Sequence, residues 1–243
     1  MLEPLRVRSR LPEGDPGRHH RADESRPFEG LALRLKISVE IEAKLQAPHH
    51  LALHQLPAAL DAEGFYVTDP GLVYSTDHYL DTADLHLRAA GWALRLRDLG
   101  TRQLVTLKAL RPVQDGIARR EEFEEPAPEG IGTDWAFPCS TLGGRLKEMV
   151  GGVELRRLFV VEQTRNIYTA IGPENFHIEV SSDAITWQGE GVEDKAFQVE
   201  LELKQGDEEK LRALYLRLKE ALGWQGAPES KYERGLRVVG LIA

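Results

Sequence analysis

The chain of 243 residues has a single cysteine, Cys139, so it can form no internal disulfide and build no cysteine-based zinc cluster. That usage fits a reducing compartment, and a cytoplasmic location is expected. No stretch approaches the ~20 apolar residues that a transmembrane helix requires. Bases are in the minority, with 31 Lys and Arg against 39 Asp and Glu and a formal net charge of −8. A protein that coats duplex nucleic acid carries the opposite balance. An export signal is missing too. Residues 1–36 scatter Arg, Pro, Asp and Glu, with no apolar core after the basic residues. They read as a flexible leader, or as the result of a start codon placed too far upstream, and His19 and His20 belong to it rather than to a metal site.

Familiar catalytic signatures are absent as well. Gly143-Gly144 and Gly151-Gly152 lack the Lys-Ser/Thr of a phosphate-binding loop and read as turn or helix-end glycines. Ser140, Ser181 and Ser182 lack the G-x-S-x-G setting of a hydrolase nucleophile. His50 and His54 are four apart without an H-E-x-x-H, and Cys139 has no activating neighbour. Trp92, Trp135, Trp187 and Trp224 read as packing residues.

What the sequence does contain is alternation. Val39–Leu45 places apolar residues on one face and charges on the other, the period of a strand. Similar segments follow near 73–80, 92–97, 104–110, 117–124, 159–169, 176–186 and 196–204, with a short last one expected at 236–239. Turn signals at 99–101, 115–116 and 189–194 separate them. Helices are fewer. Asp207 caps one whose stripe runs through Leu211, Leu214, Leu218 and Leu222 to a stop at Gly223. A second covers 49–63, with Pro57 starting or kinking it, and one or two short helices lie within 141–158. The reading is one mainly β domain, 37–243, a meandering antiparallel sheet or barrel.

The polar positions of these strands are unusually charged. Glu40, Glu42 and Lys44 share a face, as do Glu200, Glu202 and Lys204. Arg95 with Arg97, Thr106 with Lys108, and Arg120 with Glu122 and Glu124 repeat the spacing. Like charges lined up on one face repel one another and need counter-charges or ions. A barrel with its charges turned inward supplies them. Acidic pairs offer hard oxygen ligands for Mg²⁺ or Mn²⁺, while Arg and Lys hold a phosphate chain. A tunnel with both suits a polyanion bound together with a divalent cation. On this reasoning, replacing Glu40 and Glu42 should relieve repulsion and leave stability level or raised.

In order along the chain, Glu40-Ile41-Glu42-Ala43-Lys44 resembles the ExExK signature of the CYTH superfamily, the triphosphate tunnel metalloenzymes. His78–Thr82 resembles its YYDT segment, Leu94–Arg97 its LRxR strand, Val105–Lys108 its TxK strand and Arg120–Glu124 its RxExE segment. Glu200–Lys204 is similar to a late ExExK-like strand, and Ser230-Lys231-Tyr232 to the C-terminal SK segment. The resemblance implies an eight-stranded antiparallel tunnel and metal-dependent chemistry on triphosphates. It implies phosphate binding by Lys44, Arg95, Arg97, Lys108, Arg165 and Lys231, with Lys44 and Lys108 catalytic. It implies metal binding by Glu40, Glu42, Asp183, Glu200 and Glu202, with Glu122 and Glu124 in support. Asp183-Ala184-Ile185 departs from the family's Asp-x-Gly. The layout is most similar to the bacterial inorganic triphosphatases, which implies cleavage of tripolyphosphate. Thiamine triphosphatase, class IV adenylate cyclase and a non-catalytic polyphosphate- or nucleotide-binding module are the alternatives. The expected partner is a small polyanionic triphosphate, without membrane or duplex nucleic acid, and a homodimer is left open. The helical polyphosphate-associated domain often fused in this superfamily is not expected here.

Overall fold

A computed structural model describes residues 35–128, 131 and 141–243. Residues 1–34 of the leader, Cys139, Ser140 and Trp135 lie outside the described residues, whereas Lys36 opens the first strand. Strand β1 (Lys36–Ala47) is followed by a 3₁₀ turn, His50–Gln55, and helix α1 (Leu56–Ala62), with Pro57 in its first turn. Strand β2 (Tyr66–Val67) is short, and β3 (Gly71–Asp81) is long. Helix α2 (His86–Ala89), β4 (Trp92–Asp98), β5 (Gln103–Ala109), β6 (Ile117–Pro126) and α3 (Thr141–Val150) come next. The chain continues through β7 (Arg156–Gly172), β8 (Phe176–Gly189), β9 (Val192–Gln205), α4 (Glu208–Leu222), β10 (Gln225–Gly226) and α5 (Lys231–Val238).

All strand pairings are antiparallel. The sheet runs β1-β6-β5-β4-β3-β7-β8-β9, and β9 pairs again with β1 from Glu42↔Glu202 to Ala47↔Phe197, so eight strands form a ring. This is the antiparallel, mainly β architecture that the alternation implied. The ring has two surfaces because successive side chains point to opposite faces of a strand. Outward residues bury themselves under helices. Leu45, Val180, Val199 and Leu201 pack beneath Leu56 and Leu60 of α1 and Leu211, Leu214 and Leu218 of α4. Leu80, Leu94, Leu96, Leu107 and Phe123 pack with Leu87 of α2 and Leu142 and Leu146 of α3.

One expectation is corrected. The short strand expected at 236–239 is the end of helix α5. Its Val238-Val239 looks strand-like, but the start is fixed by Ser230. The Ser230 hydroxyl accepts from the Glu233 N–H at 3.1 Å, and the Glu233 carboxylate accepts from the Ser230 N–H at 3.0 Å, a complete capping box. Tyr232, Gly235 and Leu236 then fall on one buried helical face. Of the one or two short helices expected within 141–158, α3 is the one present. Gly151 and Gly152 follow it with φ of +62° and +79°, the left-handed region that stops a helix, and β7 starts at Arg156.

Candidate active site

The inside of the ring is divided. At one end α5 enters it, and Tyr232 and Leu236 pack on inward residues Tyr79, Phe159, Val161, Ile185 and Trp187. The fit is close: a Cβ on Gly235 would lie 2.1 Å from the Phe159 ring. The Trp187 indole N–H donates to the Lys231 carbonyl at 2.8 Å, which fixes the first residue of the helix. Beyond this filled end the interior is a cavity of about 430 Å³, lined by charged side chains of β1, β4, β5, β6, β7, β8 and β9 and by Tyr79 of β3.

Each predicted base meets a carboxylate inside the ring. The Lys44 ammonium lies 3.1 Å from Glu42 and 3.0 Å from Glu200. Arg165 makes a fork on Asp183 at 2.9 and 2.6 Å and reaches Glu200 at 2.7 Å. Lys231, the first residue of α5, donates to Asp183 at 3.0 Å and Glu200 at 2.9 Å. Lys108 pairs with Glu40 and lies 3.5 Å from Glu122. Arg95 donates to the Thr106 hydroxyl at 3.1 Å, which is also within 3.2 Å of Glu124. The Arg95 Nε is buried without a hydrogen-bond partner among the described residues.

Asp77 was not singled out from the sequence, yet it organises one wall. Fully buried, it accepts from Arg97 Nε and Nη2, both at 2.7 Å, and from the Gln163 amide at 2.7 Å. The Arg97 fork is thus turned to Asp77, and Arg95 lies 3.7 Å from the same carboxylate. The signal was available: Asp77 and Tyr79 alternate with His78, so both face inward, opposite Arg97 and Arg95 in register. Arg120, Lys36, Arg102 and Lys204 also line the cavity, further bases that were given no role in advance.

The field inside the ring sorts these groups. Burial opposes ionisation of Asp77, but Arg97 and Arg95 outweigh it and hold its pKa down at about 2. Burial likewise disfavours the Glu200 carboxylate, yet Lys231, Lys44 and Arg165 pull it well below the ordinary range. Glu122 is also burdened by burial and is lowered by Lys108 and Arg95. Glu202 goes the other way: burial raises it, with Glu179 and Glu42 adding repulsion. Among the lysines, burial lowers Lys108 and Lys231 in spite of their acidic neighbours, while for Lys44 the carboxylates of Glu200 and Glu42 prevail over burial and raise it.

The seven carboxylates assigned in advance to metal fall into two groups. Glu40, Glu122, Glu124, Glu200 and Glu202 line the cavity. Asp183 is fully buried behind Arg165 and Lys231, and Glu42 is buried between Lys44 and Arg120, with 3.1 Å to each. Neither lines this cavity, and their oxygens are committed to bases. Among the described residues no three carboxylates converge on one point, since each leans toward a cation. The chemistry of the lining set nonetheless fits Mg²⁺ or Mn²⁺: oxygen donors only, on the three neighbouring strands β6, β1 and β9, without His or Cys.

The remaining candidates are structural. Trp187 and Trp224 are buried in the core, and Trp92 packs on Phe123 at 5.5 Å between ring centres. His50 and His54 meet edge to face at 5.8 Å, with His50 also 5.8 Å from the Phe197 ring.

A ring of eight antiparallel strands around a cavity lined by both bases and carboxylates is the layout of the CYTH tunnel fold. The model of the CYTH domain matches residues 38–236, and the chain belongs to the CYTH family. Among solved structures it is similar to HpAC1 from Hippeastrum, a candidate adenylyl cyclase described as having a dominant triphosphatase activity. The two share 22% identity over 82% of this chain and 95% of that one, with a TM-score of 0.63. It is also similar to a protein from Bacillus halodurans described as a candidate adenylate cyclase, at 18% identity, 82% and 97% coverage and a TM-score of 0.58. At these identities the likeness is one of fold. No curated protein sequence matches. No described helix is long and apolar enough to cross a membrane.

Proposed function

We propose that this protein hydrolyses inorganic tripolyphosphate to diphosphate and phosphate with a divalent cation. The observation that supports the reading best is the composition of the cavity wall. Among the described residues it combines phosphate-binding cations with six carboxylates, Glu179 included, and its only aromatic residues, Tyr79 and Tyr232, belong to the packed end. Among the described residues nothing at the wall offers a platform for an adenine or thiazole ring.

In this reading Lys44, Arg95, Arg165 and Lys231 hold the phosphate chain along the tunnel, and Lys108 and Arg97 complete the cationic wall. Asp77 and Asp183 set the orientation of Arg97 and Arg165 through two-point contacts. Glu40, Glu122, Glu124, Glu200 and Glu202 would hold Mg²⁺ or Mn²⁺, which neutralises phosphoryl oxygens when bound. As the polyanion takes the cations, the carboxylates they now occupy are released for that role. A free carboxylate of this set accepts a hydrogen bond from water and orients it in line with the terminal phosphorus. The transition state is loose, so positioning and charge neutralisation supply most of the acceleration. Lys44 and Lys108 would be the residues touching the reacting phosphoryl group.

Phosphate release from tripolyphosphate, thiamine triphosphate and ATP, each with Mg²⁺, Mn²⁺ or EDTA, tests this. Tripolyphosphate should give the highest kcat/KM and EDTA should abolish turnover. A preference for thiamine triphosphate, or cyclic AMP formed from ATP, would replace the inorganic reading with one of its sister activities.

A further inference from the structure

The tunnel has a second chamber. After Ala43↔Ile117, strand β1 leaves β6 and takes β10 as its neighbour at Leu45↔Gly226. The divergence opens a cavity of about 360 Å³, lined by Glu42, Lys44, Arg120, Tyr215, Lys219 and Gln225 among others. Lys44 and Arg120 line this chamber and the main cavity alike. Both reach the same carboxylate oxygen of Glu42 at 3.1 Å, so one layer of three side chains separates the two spaces.

The rear chamber is more one-sided in charge than the front. Three cations, Lys44, Arg120 and Lys219, face one carboxylate, Glu42. Its outer wall is held by Tyr215, set between two glycines. A Cβ on Gly116 would come 2.3 Å from the tyrosine ring, and one on Gly226 would come 2.3 Å from its hydroxyl oxygen. The chamber is therefore small, positively charged, supplied with ammonium, guanidinium, amide and hydroxyl donors, and one side chain away from the phosphate-binding wall.

We propose that this rear chamber is a second anion site, for orthophosphate, distinct from the site of the triphosphate chain. It rests on the triphosphatase reading for the origin of that ligand, the orthophosphate released beside Lys44. Arg120 and Lys44 present charge to both chambers, and Lys219 is the cation that belongs to the rear alone.

The test uses the full chain saturated with an imido-bridged, non-hydrolysable tripolyphosphate analogue and Mg²⁺, titrated with radiolabelled orthophosphate in equilibrium dialysis. Orthophosphate should bind alongside the analogue. Lys219→Glu and Gln225→Glu should weaken it by roughly tenfold or more, and Lys219→Arg should keep it, since charge complementarity governs the contact. The analogue's own affinity should stay within about twofold in all three variants, because Lys219 and Gln225 do not line the front cavity. Complete exclusion of orthophosphate by the analogue, or unchanged orthophosphate affinity in Lys219→Glu, would overturn the proposal. If the analogue itself does not bind, the triphosphatase reading fails. Orthophosphate titrated alone into wild type and Lys219→Glu then decides the rear site by the same criterion.

Discussion

The two ends of the ring's interior are built from the same strands and differ in what meets the inward side chains. At one end helix α5 supplies Tyr232 and Leu236, and the inward positions are Phe159, Val161, Ile185 and Trp187. At the other no helix enters among the described residues, and the inward positions are Glu40, Lys44, Arg95, Lys108, Glu122 and Glu200. The filled end is stabilised by burial of apolar surface. The open end is a set of desolvated charges, each stable only because an opposite charge stands beside it. One end holds the barrel together, and the other spends stability on a polyanion site. Lys231 joins them, as the first residue of α5 and a cation on the cavity wall.

This contrast can be broken most sharply at the open end. Glu40→Gln with Glu122→Gln should reduce tripolyphosphate turnover by roughly three orders of magnitude, since both ligands and water-orienting groups are lost. Circular dichroism should show the fold unchanged. Glu42→Gln should have a different effect. The sequence alone suggested that removing an acid relieves repulsion, but Glu42 is the shared partner of buried Lys44 and Arg120. Its loss leaves two cations short of a counter-charge, at a cost of about 3 kcal/mol, seen as a lower midpoint in urea. Leu236→Ala attacks the filled end. It should cost about 2–3 kcal/mol through the cavity it leaves, with kcat of the folded protein changed by no more than about threefold.

The smallest effect is in acid. Asp77 is fully buried and its folded-state pKa is depressed to about 2, below the ordinary aspartate value near ~3.9. A depressed carboxylate contributes stability that is complete above the unfolded pKa and is lost as pH falls through the folded one. For Asp77 that is about 2 kcal/mol, lost between about pH 4 and pH 2. The stability of Asp77→Asn should therefore fall less steeply over that interval than that of wild type, and equal slopes would count against the Arg97–Asp77 contact.

The ring was legible because period-2 alternation survives on every long strand, and the five charged sets named all lie on its inner face or at its mouth. The capped helix from Asp207 to Gly223 was equally plain, with the Asp207 carboxylate accepting from the Glu209 N–H at 2.8 Å. Helix α5 was missed because its two valines carry strand propensity, whereas the capping box acts only through two reciprocal hydrogen bonds. Periodicity gives the face of a residue but not its depth or partner. It could not separate Asp183 and Glu42, sealed behind bases, from Glu40 and Glu202 on the wall. Asp77 escaped notice for a related reason: an aspartate beside a histidine carries no motif, and its importance comes from strand β4 bringing Arg97 opposite it.

The central claim is that the open end holds a triphosphate and divalent cations together. Crystals grown with Mn²⁺ and an imido-bridged tripolyphosphate analogue, measured at the manganese edge, test it most directly. Anomalous peaks are expected inside the ring, ligated by oxygens from Glu40, Glu122, Glu124, Glu200 or Glu202, with phosphates on Lys44, Arg95, Arg165 and Lys231. Manganese and phosphate bound only outside the ring, with Lys44 and Arg165 still paired to Glu200, would contradict it.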